Sequence, residues 1–149
     1  MSDSSGSSTI TWFLVVFGWV STHFLTLRRE KRKEVRSNLD IIKKQLAELE
    51  KDAVSFHTST EHSAEKSRAI LLKIQRIFKE IELESNIKKD TSSLRSKLRK
   101  SITLANFDKS AFATIGHDSD LLDKVSSAHD NLITQLECNY IKFYRDTYF

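Results

Sequence analysis

Apolar residues crowd the start of the chain. From Thr9 to Leu27 the sequence TITWFLVVFGWVSTHFLTL holds nineteen residues without an acidic side chain, a lysine or an arginine. At about 1.5 Å per helical residue the run reaches roughly 28 Å, close to the hydrocarbon thickness of a bilayer. It predicts a transmembrane helix, with Trp12 near one end and Trp19 and His23 towards the other at interfacial depth. Residues 1–8, MSDSSGSS, are polar and lack the basic region of a cleaved signal peptide, so they read as a disordered tail ahead of an anchor.

A second pattern begins past the run. Val35, Leu39, Ile42, Leu46, Leu49, Ala53 and Phe56 follow one another at steps of four and three, a coiled-coil spacing. Counted backwards, the register passes through Arg32, Arg28, Leu25, Ser21, Gly18, Leu14 and Thr11, so the transmembrane helix is expected to continue into a heptad helix over residues 28–56. Thr11, Gly18, Ser21 and Thr22 then form a small and polar face, and small residues four apart let membrane helices approach closely. Together with Leu39, Ile42, Leu46 and Leu49 they are the expected membrane and oligomer face. The same heptad stripe is also what the core face of an intramolecular bundle looks like. Arg28 and Arg32 on the stripe oppose a tight pair of parallel copies and favour a wider ring.

Residues 57–149 predict a small helical bundle. Thr58 to Glu61 has a capping-box pattern ahead of a helix to about Ser85, whose broad apolar face holds Ile70, Leu71, Ile74, Ile77, Phe78 and Ile81. Asp90 or Thr91 caps a third helix reaching about Asn106, with Leu94, Leu98, Ile102 and Ala105 inward. Residues 107–119 read as a loop with Phe107, Phe112 and Ile115 tucked beneath it. A last helix begins near Ser119 or Asp120 and carries Leu122, Val125, Leu132, Leu136, Tyr140 and Phe143. Tyr148 and Phe149 are expected to dock elsewhere or to fray.

Composition agrees with the helical reading. Among 149 residues there is no proline and there are three glycines, which argues against a turn-rich β fold and a glycine-rich phosphate loop. The fold class is therefore all-α. One cysteine, Cys138, rules out an internal disulfide or a multi-cysteine metal site; it is expected on the core side of the last helix.

Charge fixes the expected topology. Arg28, Arg29, Lys31, Arg32, Lys33 and Arg36 follow the apolar run, and such residues stay on the cytoplasmic side. The N-terminus is then outside and residues 28–149 are cytoplasmic, with the six basic side chains against lipid headgroups. Without residues 28–36 the chain carries 18 basic and 18 acidic residues, which removes the case for nucleic acid. A second basic patch, Lys88, Lys89, Arg95, Lys97, Arg99 and Lys100, is a candidate anion or partner site, with Arg95 and Arg99 one turn apart. By contrast, residues 110–137 hold Asp118, Asp120, Asp123, Asp130 and Glu137 against Lys124 alone, and opposite patches can pair between subunits or within one bundle.

No catalytic constellation emerges. His57 and His62 share no helical face, there is no H-E-x-x-H pattern, and no arginine is followed four to six residues later by histidine as in helical defence ribonucleases. The expectation is a non-enzymatic protein without cofactor or metal.

The stretch GWVSTHFLTLRREKRKEVR resembles the N-terminal part of small bacterial single-pass membrane proteins in which a span ending in Gly-Trp and a histidine precedes an Arg-Arg-Glu-x-Arg-Lys-Glu run and a helical cytoplasmic domain. The resemblance covers about residues 10–36 and implies the bacterial inner membrane. In architecture alone, one span and a helical body, the chain also looks like CRISPR-associated accessory proteins that form membrane pores. With the register, this second likeness gives the leading expectation, a homo-oligomer that perturbs the membrane in antiphage defence. The alternative is an anchor or adaptor that tethers a cytoplasmic protein partner. A phage spanin is a third class, opposed by the basic run.

Overall fold

The computed structural model describes residues 5–104, 107–108, 110, 112–116 and 119–145, with side chains from Thr11 onward. The tail 1–8 falls outside it except for the backbone of residues 5–8, as do Ala105, Tyr148, Phe149 and Asp118 of the acidic stretch. Helix α1 runs over Ser5–His57, α2 over Ala64–Leu83, α3 over Ser92–Thr103 and α4 over Asp120–Arg145; there is no strand among the described residues. The all-α class follows. The chain divides into two compact units, residues 1–36 and 37–149.

In the first unit, the expected transmembrane helix meets a limit. Among the described residues no helix is long and apolar enough to cross a membrane. Side chains are described from Thr11, which leaves seventeen residues before Arg28 and sets Thr9 and Ile10 aside. Seventeen helical residues reach about 26 Å, short of a hydrocarbon core of about 30 Å.

The second unit is a four-helix arrangement whose order follows from its polar cross-links. Asn38 Nδ2 donates to Glu84 Oε2 at 3.1 Å, and Lys73 Nζ reaches Asp52 at 2.7 Å, so α2 runs antiparallel to the 37–57 part of α1. Lys43 meets Glu137 at 2.5 Å and Ser126 Oγ donates to Glu50 Oε1 at 2.5 Å, so α4 does likewise. Arg95 pairs with Glu82 near the start of α3, while Ile102 near its end reaches His57; α3 therefore runs in the same direction as α1 and packs against α4.

The core takes one face from each helix. Leu39, Ile42, Leu46, Leu49, Ala53 and Phe56 are buried from α1, Ile70, Ile74, Ile77 and Ile81 from α2, Leu98 and Ile102 from α3, and Leu122, Val125, Leu132 and Leu136 from α4. This corrects the reading of Leu39, Ile42, Leu46 and Leu49 as an oligomer face. The six-residue link 58–63 turns α2 back along the stripe, α4 also packs antiparallel to α1, and each face removes the other's apolar surface from water within a single chain.

Local signals start and stop the helices. Ser63, not Thr58, caps α2: its hydroxyl accepts from Lys66 N at 3.2 Å. The Thr58 and Ser59 hydroxyls instead donate back to Val54 O and Phe56 O and close α1. Thr91 is the residue ahead of α3, but its hydroxyl donates to Lys88 O at 2.6 Å. Asp90 takes a left-handed backbone, φ 57°, which a short polar side chain tolerates. Asp120 and Asp123 in the first turn of α4, with Lys142 and Arg145 in the last, complement the helix dipole.

Two polar residues occupy core positions of α4. Asn139 Nδ2 donates to Ile87 O at 2.7 Å and Lys89 O at 2.6 Å while its Oδ1 accepts from Gln135, which pins the α2–α3 link to α4. His129 Nδ1 lies 3.1 Å from Asp130 Oδ1 and 3.4 Å from Glu50 Oε2. Cys138 is exposed, a second correction: two residues on from buried Leu136 is about 200° round the helix.

Candidate membrane-anchoring face and charged surfaces

In the first unit the consecutive residues Trp12, Phe13, Leu14, Val15, Val16 and Phe17 are all exposed, Phe13 at 77%. At 100° per residue, six in a row cover the whole circumference, so this stretch has no polar side to turn to water. Trp19, Val20, Phe24, Leu25 and Leu27 are exposed as well.

The polar residues of the run are largely satisfied within the helix. Thr22 Oγ1 donates to Gly18 O at 2.7 Å and Thr26 Oγ1 to Thr22 O at 2.9 Å. Such back-bonded hydroxyls do not require a partner helix. Thr11, Gly18 and Thr22 fall within about 40° of one another round the helix axis, with half-buried Ser21 beside them. A Cβ built on Gly18 would meet nothing within 4 Å. Trp19 stacks on His23 with ring centroids 5.5 Å apart.

The basic run then begins with a cation on an aromatic: Arg28 lies 4.2 Å from the Phe24 ring centroid. Arg28, Arg29, Lys31 and Lys33 are exposed, whereas Arg32 and Arg36 are partly buried and engaged.

The patch of residues 88–100 is not one anion grip. Arg95 turns towards α2, with Nη2 2.8 Å from Glu82 Oε2, Nη1 donating to Phe78 O at 3.4 Å, and its guanidinium over the Phe78 ring. Lys88 joins the same carboxylate at 3.3 Å. The Arg95 and Lys88 bonds hold the Glu82 carboxyl below its ordinary range. Arg99 and Lys100 are exposed on α3, and Lys89 is exposed on the link. Lys97 lines a shallow groove with Asp120, Asp123 and Lys124, so the basic and acidic stretches meet inside one bundle.

Sequence reasoning missed a second groove, between α1 and α2. Ile41, Ile42 and Leu83 give it an apolar floor, and Asn38, Gln45, Arg76, Glu80 and Glu84 rim it. Ile41 and Leu83 are more than half exposed, and Gln45 Oε1 is buried with no hydrogen-bond partner among the described residues. Ile41 sits off the heptad stripe, so periodicity alone gave it no role.

No cluster of three or more potential metal ligands occurs among the described residues. Ser126 and His129 address different oxygens of Glu50, which makes the trio a tie between α1 and α4. No protein-family model, curated protein or solved structure matches the chain.

Proposed function

We propose that the chain is a single-pass anchor of the bacterial inner membrane that holds a small non-enzymatic helical bundle, and a protein partner bound to it, at the cytoplasmic surface. The observation that carries this reading is the circumferential exposure of Trp12 to Phe17. Water is a poor solvent for such a helix, and lipid covers it on every side. Counted from Thr9 the run has nineteen residues, enough to span. Arg28, Arg29, Lys31 and Lys33 then meet anionic headgroups at about 1 kcal/mol each, and the partner takes the Ile41–Leu83 groove. The buried heptad stripe favours this adaptor over a ring built on that stripe. A periplasm-active reporter fused after Phe149 is expected to be silent, and the same reporter ahead of Met1 active. The opposite pattern would reverse the topology and return the spanin class.

A second reading keeps the homo-oligomer and moves its contact into the span. It is favoured by the open space at Gly18 on the same side as Thr11, Ser21 and Thr22. On that reading the antiphage, membrane-perturbing activity resides in this face. Gly18→Leu with Thr22→Leu is expected to leave the mass of the detergent-solubilised particle unchanged if the adaptor reading holds. A drop from oligomer to monomer, with dye entry during phage challenge lost in the variant, would establish the second reading instead.

A further inference from the structure

At the end of the bundle where α1 stops, one fully buried histidine joins three segments. His57 Nε2 lies 3.1 Å from Ile102 O at the end of α3; a carbonyl only accepts, so this nitrogen carries the proton. The backbone carbonyl of His57 accepts from Ile115 N at 3.0 Å, and next to it Thr114 Oγ1 donates to Ser59 O at 3.0 Å. The ring stands edge-on to Phe56, which in turn packs with Phe107, Phe112 and His62 at centroid distances of 5.2, 5.5 and 5.7 Å. The other ring nitrogen, Nδ1, is buried and has no hydrogen-bond partner among the described residues.

We infer that His57 is an acid-sensitive latch: neutral, it fastens residues 112–116 and the end of α3 to α1, and protonated, it releases them and bares the Phe56, Phe107 and Phe112 cluster. A second proton must go to Nδ1, which places an N–H and a positive charge where no acceptor waits, at a cost that opening to water removes.

Among the described residues no carboxylate bonds the ring. Arg99 and Lys100 of α3 and Asp108 of the 107–116 segment are exposed, and Glu61 of the α1–α2 link is exposed too. His62 Nε2 bonds Phe107 O at 3.1 Å. Burial pushes the His57 pKa down, opposed in part by the Ile102 bond. The open state thus binds the proton more readily than the closed one. Closure is complete above about pH 6.5 and weakens as the pH falls below it, by up to about tenfold in the opening equilibrium per pH unit.

Hydrogen exchange of the full-length protein in detergent micelles tests this, with rates corrected for the intrinsic pH effect. Amide protection over residues 112–116 is expected to fall about tenfold between pH 7.5 and 5.5, while the core of α2 stays protected. His57→Gln, which keeps an amide N–H for Ile102 O and cannot titrate, is expected to change less than twofold over the same range. Equal protection of the wild type at both pH values overturns the latch. So does an acid response that persists in His57→Gln, or one that disappears in His62→Gln or His117→Gln. If His57→Gln does not fold, the ring resonances of wild-type His57 decide: a midpoint below 6.5 that coincides with segment opening supports the latch, and an ordinary midpoint uncoupled from opening overturns it.

Discussion

Replacing Leu39, Ile42 and Leu46 with aspartate is expected to unfold the 37–149 bundle rather than to separate copies of it. All three side chains are buried in the single chain, Leu39 and Leu46 completely. Truncating a buried leucine or isoleucine costs about 2–5 kcal/mol on its own. A carboxylate in its place adds the cost of a buried charge with no partner. Three such losses exceed the roughly 5–15 kcal/mol that holds a domain together. Circular dichroism of the full chain should lose most of the helical signal of α2, α3 and α4, with no cooperative thermal transition. A variant that kept that transition and changed only from oligomer to monomer would show the stripe lying between chains.

The second large effect belongs to the other unit. Val16→Lys with Val20→Lys is expected to move the protein from the membrane pellet to the soluble fraction after alkaline carbonate washing. Each lysine near the middle of a span opposes insertion by about 2.5–3.5 kcal/mol. Two therefore shift the partition by more than about a thousandfold. Both valines are about half exposed and belong to residues 1–36, so the melting temperature of the bundle should not move. Retention of the double variant in the washed pellet would leave the apolar run without its proposed role.

The sequence made the helices legible because helix burial is periodic. The steps of three and four that selected Leu39 to Phe56 and Leu122 to Leu136 coincide with buried positions. Periodicity describes one helix at a time, however, and says that a stripe is covered without saying by what. Only the packing shows α2 and α4 on the stripe of α1. Caps failed for a related reason: Thr58 and Ser63 both have a hydroxyl in the right place, and the choice between donating backwards and capping forwards depends on where α1 ends. The charged patch of residues 88–100 looked like a ligand grip because charges add along a sequence, whereas Arg95 is spent on Glu82 across the bundle. His57 and Asn139 gave no signal at all, since their partners are backbone atoms 45 to 52 residues away.

Asn139 has a consequence for how the last helix is indexed. Leu122, Val125, Leu132 and Leu136 are apolar rungs of α4, and sliding the helix by one heptad, about 10.5 Å, would still set Leu132 in the place of Val125 and Leu136 in that of His129. What such a slide cannot preserve is the meeting of one carboxamide with the Ile87 and Lys89 carbonyls, because that pair of acceptors exists at a single depth. A misregistered helix would leave the amide and both carbonyls dry and unbonded, about 1–3 kcal/mol for each group. The apolar rungs thus supply adhesion, and one polar notch sets the axial address at which Lys142 and Arg145 are held.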